Sequence, residues 1–313
     1  MPPLFFSSMK KETPFSYGGQ AVMGGVMIRG RNSMAIAVRR MDGGIEISNR
    51  PLASLYTGRW RQVPFIRGII ALIESVVLGT GALMYSAQVS TETEEEKITP
   101  AMMWFSVALG VVLAVVLFFI LPLLVIRFFD AFITSSLVSN LLEGLIRIVF
   151  FIVYLVLIGF MQDIREVFAY HGAEHMSVNA YEAGVPLDVA SVRRYSTAHT
   201  RCGTSFLLVV LVLSILVFAL LGRPDIWLSI LSRVLLIPVI AGISYELIKF
   251  EAKYGDNILV HWLLLPGLWL QALTTRTPSD SQLEVAIEAM KKALETDGAS
   301  TPQTGPTFPV EAA

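Results

Sequence analysis

The chain has 313 residues, of which 54% are hydrophobic and 16% charged, and its mean hydropathy is +0.63. This apolar excess excludes a disordered chain and argues against an ordinary soluble enzyme, so the composition predicts a membrane protein. Basic and acidic residues nearly balance, at 24 and 25, which argues against nucleic-acid binding through bulk charge, and the single cysteine excludes an intramolecular disulfide framework.

Residues 1–64 are predicted to form a small cytoplasmic β-meander. Strand-like runs cover residues 20–28, 33–40 and 44–48, and the sequence Asp42-Gly43-Gly44 supplies a turn between the last two. Because two or three strands cannot bury a face alone, we expect this unit to pack on the membrane helices or on another chain. The β-meander is therefore one candidate surface for a protein partner.

Four apolar runs are predicted to cross the membrane. A bilayer core needs roughly 20 apolar residues in a helix, and the runs that meet or nearly meet this length are residues 101–126, 141–161, 204–222 and 226–248. Two further stretches, residues 65–90 and 258–273, contain charges, a proline or flanking tryptophans, and both are interpreted as re-entrant or interfacial helices. The lipid bilayer is the first predicted partner, and the oligomeric state stays open.

The distribution of basic residues predicts the orientation. With both termini on the cytoplasmic side of the cell (inner) membrane, 20 of the 24 Lys and Arg residues fall in cytoplasmic segments. The other four are Arg127, Arg147, Arg223 and Arg233. Glu143 and Arg147 have the spacing of a local helical ion pair, and Arg233 is expected to extend toward the outer interface.

Residues 279–296 are predicted to form an amphipathic helix, with a capping box at Ser281 and Glu284. Docking on the protein's own cytoplasmic domain is favoured over docking on a partner protein, which stays the alternative. Residues 297–313 are rich in Gly, Ser, Thr and Pro and are predicted to be disordered.

Residues 162–203 form a cytoplasmic, His-rich helical segment that holds three of the four histidines. His171 and His175 are one helical turn apart, with Glu174 beside them, so both rings can reach one metal ion. The same His-x-x-Glu-His pattern marks the inverted zinc-protease motif, in which the carboxylate is a general base and the ion lowers the pKa of its water to about 7. The predicted cofactor is a divalent metal, with zinc preferred by these ligand types.

Two coordination schemes are open. His199 and Cys202 would complete a closed His/Cys tetrahedron, which is typical of a structural site, whereas a carboxylate from Glu182 or Glu246 would leave an open position for water, which is typical of a catalytic centre. The plainer alternatives are solvated surface histidines, a Cys202 that is merely a small buried side chain, and a His261 that lies at the membrane interface.

The leading hypothesis is a metal-dependent membrane enzyme, hydrolytic, with its active site at the cytoplasmic membrane face. The rival hypothesis is a non-catalytic scaffold or assembly factor with a structural His/Cys site, which would bind a partner through the β-meander or the C-terminal helix. A transporter comes third, because the sequence shows neither matched pairs of broken spans nor a ladder of buried carboxylates.

Separate motif blocks occur in a fixed order along the chain, from about residue 17 to residue 295: Tyr17-Gly-Gly-Gln-Ala-Val, Gly25-Val-Met-Ile-Arg, Ala37-Val-Arg-Arg, Tyr170-His-Gly-Ala-Glu-His, Asn179-Ala-Tyr-Glu, His199-Thr-Arg-Cys-Gly-Thr-Ser-Phe, Ala241-Gly-Ile-Ser-Tyr-Glu, Pro266-Gly-Leu-Trp-Leu-Gln and Thr274-Thr-Arg. Together they resemble the YqhQ-like family of bacterial membrane proteins. The resemblance implies a multi-span inner-membrane protein of unknown function, described as a predicted metal-dependent enzyme, and it gives no substrate. The site residues carried over are His171, Glu174, His175, Glu182, His199, Cys202 and Glu246.

Overall fold

The structure is a computed structural model that describes residues 15–90, 99–129, 131–199, 201–254 and 258–299. The chain is mainly helical, with one small antiparallel sheet near its N-terminus, which confirms the predicted fold class of a polytopic α-helical membrane protein with a β-meander.

The sheet has four strands in the order β1-β2-β3-β4: Gly18–Val22, Gly25–Arg29, Ser33–Arg39 and Ile45–Pro51. The prediction of one strand over residues 20–28 is wrong, because the chain reverses at Met23 and Gly24. Gly24 has φ +63°, a conformation that only glycine adopts cheaply. The Asp42-Gly43-Gly44 turn is confirmed, with Gly43 at φ +87° and the Gly44 N–H donated to the Asp42 carboxylate at 2.9 Å.

The described helices are α1 (Ser54–Thr57), α2 (Ile66–Ser90), α3 (Pro100–Val115), α4 (Leu121–Phe128), α5 (Ser136–Ile158), α6 (Gln162–Glu182), α7 (Val189–Val192), α8 (Gly203–Leu221), α9 (Ile226–Tyr254), α10 (Ile258–Thr274) and α11 (Asp280–Thr296). A 3-10 turn, Arg59–Gln62, precedes α2, and a π turn, Val116–Ile120, joins α3 to α4. Five stretches are long and apolar enough to cross a membrane, among the described residues: α2, the continuous α3–α4 unit, α5, α8 and the first 25 residues of α9.

Both faces of the sheet are covered, which explains why β2 and β3 are buried almost throughout. Val26, Ile28, Ala35 and Ala37 face a core shared with α6 and α11. The alternate residues, from Val22 to Val38, pack against α2 around Ala82. The sheet is thus held between a helical layer and α2. We call the domain that the sheet forms with the helical layer the packed unit, and it consists of β1–β4, α6, α7 and α11.

Within this unit, helix α11 packs against α6, β2 and β3. Its apolar face is fully buried, from Leu283 to Leu294. The predicted capping box at Ser281 and Glu284 is wrong by two residues, since Ser279 and Gln282 form the reciprocal pair. Asp297 then ties the end of α11 to the β2–β3 turn, because its carboxylate accepts the N–H of Asn32 at 3.2 Å, and to the residue before β1, because it accepts the hydroxyl of Tyr17 at 3.1 Å. Residues 300–313, most of the tail that is predicted to be disordered, lie outside the described residues.

A charged cluster is buried among the membrane helices, and we call it the membrane cluster: Glu143, Arg147 and Arg233. The predicted Glu143–Arg147 ion pair is confirmed at 2.6 Å. The prediction that Arg233 extends to the outer interface is wrong, because its guanidinium is 2% exposed and bonds both oxygens of Glu143, at 2.7 and 3.2 Å. A buried carboxylate attracts a guanidinium far more strongly than an interface does, because the low dielectric amplifies their attraction.

The π turn supplies one further partner for this cluster. A π turn shifts the helical hydrogen bonds by one residue and frees a carbonyl, and the Phe118 carbonyl accepts the Nε–H of Arg147 at 2.8 Å. The Ser214 hydroxyl accepts a second N–H of Arg147 at 2.7 Å. The Phe218 ring lies between the two guanidiniums, with centroid distances of 5.2 and 4.7 Å.

Candidate metal centre

Helix α6 carries the first three site residues and is enclosed by β1, β2, α7 and α11. His175 is 2% exposed and Glu174 is 4% exposed, whereas His171 is half-buried. Polar side chains at this depth need partner groups. The identity of those partners therefore decides what the site can do.

Both histidines of α6 are held by backbone carbonyls. The Nδ1 atom of His171 lies 2.8 Å from the Thr274 carbonyl oxygen, and that of His175 lies 2.6 Å from the Thr197 carbonyl oxygen. Because a carbonyl only accepts hydrogen bonds, each Nδ1 carries the proton, and in a neutral ring the lone pair is then on Nε2. The ring centroids are 4.3 Å apart, so both rings present a metal-binding nitrogen to one region.

Cys202 joins this pair from the loop before α8. Its Sγ lies 3.3 Å from His171 Nε2 and also accepts the N–H of Thr204 at 3.3 Å, which makes Cys202 the N-cap of α8. The N-terminus of a helix favours a negatively charged group, so this position suits a thiolate. One ligand atom from each of His171, His175 and Cys202 lies within 4.8 Å of the others, a convergence that could hold a metal ion.

Glu174 lies next to this triad on the same helix. Among the described residues its carboxylate makes no hydrogen bond, and its one contact with an ionisable group is His175 Nε2, at 3.6 Å. A cation bound by the neighbouring imidazoles would supply a counter-charge to this carboxylate.

His199 forms a second group with Glu182 and Arg201 rather than joining the triad. Its Nε2 lies 3.6 Å from the Glu182 carboxylate, which also pairs with the Arg201 guanidinium. Burial by itself raises the pKa of Glu182, but the neighbouring His199 imidazole and the Arg201 charge outweigh it and lower the pKa below its ordinary value. The His175 and His199 rings are 5.6 Å apart between centroids, so the two groups are adjacent but separate.

A fully buried glutamine fixes the loop that carries His199 and Cys202. Gln271 of α10 accepts the His199 N–H at 2.9 Å and donates to the His199 carbonyl at 2.7 Å. Asn179 of α6 donates to the carbonyls of Ser196 and Ala198, at 2.9 and 3.0 Å. These contacts hold the loop between α6 and the membrane helices, so the triad sits where the packed unit meets α8 and α10.

Glu246 is not brought to the triad. Its carboxylate accepts the Arg67 Nε–H at 2.7 Å and the Phe65 N–H at 3.1 Å, which places it at the junction of α2 with α9. Of the seven predicted site residues, the structure gathers His171, His175 and Cys202 around one point with Glu174 beside it, and His199 with Glu182 next to that. The side chain of His261 lies outside the part that the structure describes.

Sequence reasoning missed the groups that orient the ligands. Thr197 and Thr274 act through their backbone carbonyls, which have no signature in a sequence. Gln271 did leave a signal, because it is a polar residue at the end of an apolar run, Ile258–Thr274, where an amide needs partners. A buried Glu74, 4% exposed, which is bonded by Arg29 at 3.1 Å and by Arg61, carried the same kind of signal within α2.

Comparison with known proteins adds the family. Residues 63–296 match a sequence family that is described as "Protein of unknown function (DUF1385)". The chain belongs to this family. The uncharacterized protein YqhQ of Bacillus subtilis (strain 168) is 34% identical over 315 residues, covering 96% of this chain and 99% of that relative. The expected YqhQ-like resemblance is therefore confirmed, and no solved structure matches the chain.

Proposed function

We propose that the protein is a metal-dependent membrane enzyme of hydrolytic type, whose ion is held by His171, His175 and Cys202. The observation that carries the proposal is a convergence of three ligand atoms with a buried, otherwise unbonded carboxylate beside them. Three protein ligands and one open position are typical of catalytic zinc centres, whereas four protein ligands are typical of structural ones. The mixed nitrogen and sulfur set favours zinc among the common divalent ions.

The residues have distinct roles in this proposal. A divalent ion so held would lower the pKa of a water in its open position to about 7. Glu174, whose carboxylate lies 3.6 Å from His175 Nε2, would be the general base beside the bound ion. Thr274 and Thr197 keep the two imidazoles in the tautomer that presents Nε2.

A structural metal clip is the second candidate, favoured by the burial of His175 at 2% and Cys202 at 5%. It requires a fourth protein ligand, and the sequence offered His199 for that place. The His199 Nε2 instead faces the Glu182 carboxylate at 3.6 Å. The open centre therefore fits the contacts better than the closed tetrahedron.

The packed unit also supports a topology with an even number of crossings. Its pieces precede, interrupt and follow the membrane helices, so all of them lie on one side of the bilayer. Two hairpins satisfy this condition, the α3–α4 unit with α5 and α8 with α9, while α2 and α10 stay on the side of the packed unit. The excess of basic residues supports a cytoplasmic location for that side, in agreement with the interpretation of residues 65–90 and 258–273 as re-entrant or interfacial helices.

Metal content separates the alternatives. We expect the purified protein and its His199→Ala variant to bind one zinc ion each. His175→Ala and Cys202→Ser should lower zinc affinity by more than the roughly 10–100-fold typical of losing an outer-shell partner. Loss of zinc from His199→Ala would instead support the closed tetrahedron. Equal, sub-stoichiometric metal in the wild type and His175→Ala would reject both metal hypotheses.

A catalytic role is tested by Glu174→Gln, which keeps the shape and removes the base. Cells that lack the protein should accumulate a substrate that complementation with the wild type removes. Glu174→Gln should bind zinc as the wild type does and leave that species in place, whereas Glu288→Gln, at an exposed position of α11, should clear it. Full clearance by Glu174→Gln would leave the carboxylate only a structural role.

A further inference from the structure

The connection between the sheet and α2 exposes an unusual run of apolar side chains. It comprises α1, the 3-10 turn and the first turn of α2, and we call residues 55–69 the basic–aromatic segment. Its large exposed apolar residues are Leu55 at 46%, Trp60 at 51%, Val63 at 39%, Phe65 at 58%, and Ile66 and Ile69 at 38% each. Contiguous exposed apolar residues mark an interaction surface, and tryptophan in particular is enriched at the headgroup depth of membranes.

The same segment is strongly basic. Arg59, Arg61 and Arg67 lie within it, and Arg29 of β2 reaches into it. Burial, and then the charge of Arg29, lower the pKa of Arg61, as expected where guanidiniums crowd together. The segment therefore carries a surplus of positive charge.

The two nearby acids cancel only part of this charge, because there are four arginines to two carboxylates. Glu74 is bonded by Arg29 and Arg61, and Glu246 by Arg67. Arg59 is exposed, and among the described residues its recorded contact is with the Trp60 ring, 5.7 Å from the centroid. Its guanidinium is thus available to an anion beside an exposed aromatic ring.

Phe65 has an unusual backbone conformation, and its side chain points outward. Phe65 has φ +65°, and it is the one non-glycine residue with positive φ among those described. Such a conformation persists where surrounding contacts dictate it. Here the Glu246 carboxylate accepts the Phe65 N–H at 3.1 Å, and that carboxylate is itself fixed by Arg67. The exposed position of the Phe65 ring is therefore fixed by these contacts.

We propose that the basic–aromatic segment binds anionic phospholipid headgroups, with Arg59 on the lipid phosphate and Trp60 and Phe65 at the boundary with the acyl chains. The segment runs directly into α2, which is apolar enough to enter a bilayer, so lipid is its immediate neighbour. The surplus positive charge selects anionic over zwitterionic lipids, and the aromatic rings provide the apolar part of the contact.

Brominated lipids test this proposal with the full chain reconstituted in phosphatidylcholine vesicles. The fluorescence of Trp60 is isolated as the difference between the wild type and Trp60→Phe. Brominated phosphatidylglycerol should quench this difference signal about twofold or more over brominated phosphatidylcholine at the same mole fraction. Arg59→Gln should bring the ratio to about one. Arg40→Gln, at an exposed arginine that pairs with Asp42, is the matched control and should leave the ratio unchanged.

Three results would overturn the proposal. Equal quenching by the two lipids in the wild type would remove the preference for anionic headgroups. An Arg40→Gln effect equal to that of Arg59→Gln would assign the preference to net charge rather than to this segment. Absence of quenching by either lipid would show that Trp60 is away from the bilayer and that a protein partner covers the surface.

Discussion

Two buried polar clusters in this protein differ in how completely the protein satisfies them. In the membrane cluster, every guanidinium nitrogen of Arg147 and Arg233 donates to a protein oxygen, and both oxygens of Glu143 accept. In the triad, only the Nδ1 side of each imidazole is bonded to backbone, and the Nε2 atoms and the thiol point at one another.

This difference provides a criterion for distinguishing a structural polar cluster from a functional one. Charges in an apolar surrounding are tolerated when their hydrogen bonds are complete, and the membrane cluster meets this condition with its own residues. In the triad, His171 Nε2 has the Cys202 sulfur as its partner at 3.3 Å and His175 Nε2 faces the Glu174 carboxylate at 3.6 Å, and the proposed metal ion would add a ligand common to all three residues. Both clusters are polar and largely buried, and they differ in how many of their donor and acceptor atoms are matched by protein groups.

The largest expected effect falls on the membrane cluster. Glu143→Ala leaves two buried guanidiniums without their counter-charge, and we expect it to lower the free energy of unfolding by about 3–5 kcal/mol. Thermal unfolding of the detergent-solubilised protein measures the loss. Glu288→Ala, which breaks an exposed pair with Lys291, is the control and should cost about 0–1 kcal/mol. Similar losses in both variants would mean that the cluster is no more than a surface ion pair in energetic terms.

A steric change at the triad should have an intermediate effect. A Cβ added at Gly172, between His171 and His175, would clash with the Arg276 carbonyl oxygen, and a backbone atom cannot move aside cheaply. Gly172→Ala should therefore cost about 1–3 kcal/mol of unfolding free energy and weaken zinc binding, because it pushes α6 away from Thr274.

Gly203 provides the matched control for that change. It follows Cys202 directly, and a Cβ added there would meet no atom within 4 Å. Gly203→Ala should leave both the unfolding free energy and the zinc affinity near their wild-type values. If Gly172→Ala bound zinc as tightly as Gly203→Ala, the carbonyl contacts of the histidines would be irrelevant to the site.

The smallest effect is expected at Glu182, whose pKa is lowered in the folded protein. A lowered folded-state pKa stabilises the protein above the unfolded pKa, and this contribution is lost as the pH falls through the folded value. Glu182→Gln should cost about 0.5 kcal/mol at pH 7, because the carboxylate is partly exposed and screened. The difference from the wild type should begin to shrink near the ordinary Glu pKa and vanish once the pH is below the lowered folded-state pKa. A difference that grew on acidification would contradict this sign.

The sequence was sufficient to predict the parts of the site that depend on local geometry. The four-residue spacing of His171 and His175 dictates that their rings share a helix face, and the structure has them 4.3 Å apart. The antiparallel meander and the Glu143–Arg147 pair likewise follow from short-range patterns.

Contacts between distant segments could not be predicted in this way. Cys202 comes within 3.3 Å of His171 across 31 residues of sequence, and Glu246 was equally plausible as a ligand until its pairing with Arg67 was visible. The hairpin at Gly24 was not predicted, because its two short strands form one continuous apolar run in the sequence. In each case a side chain could pair with several residues of similar chemistry, and tertiary packing determines which of them it contacts.

The position of Thr274 near the end of the chain has a consequence for biosynthesis. The carbonyl that orients His171 belongs to a residue about a hundred positions later, and α11, which closes the core over α6, comes later still. While the ribosome is still making the second half of the protein, the histidines have already emerged but lack the groups that aim them. On the proposed function, metal binding would therefore be a late event that follows synthesis of α10.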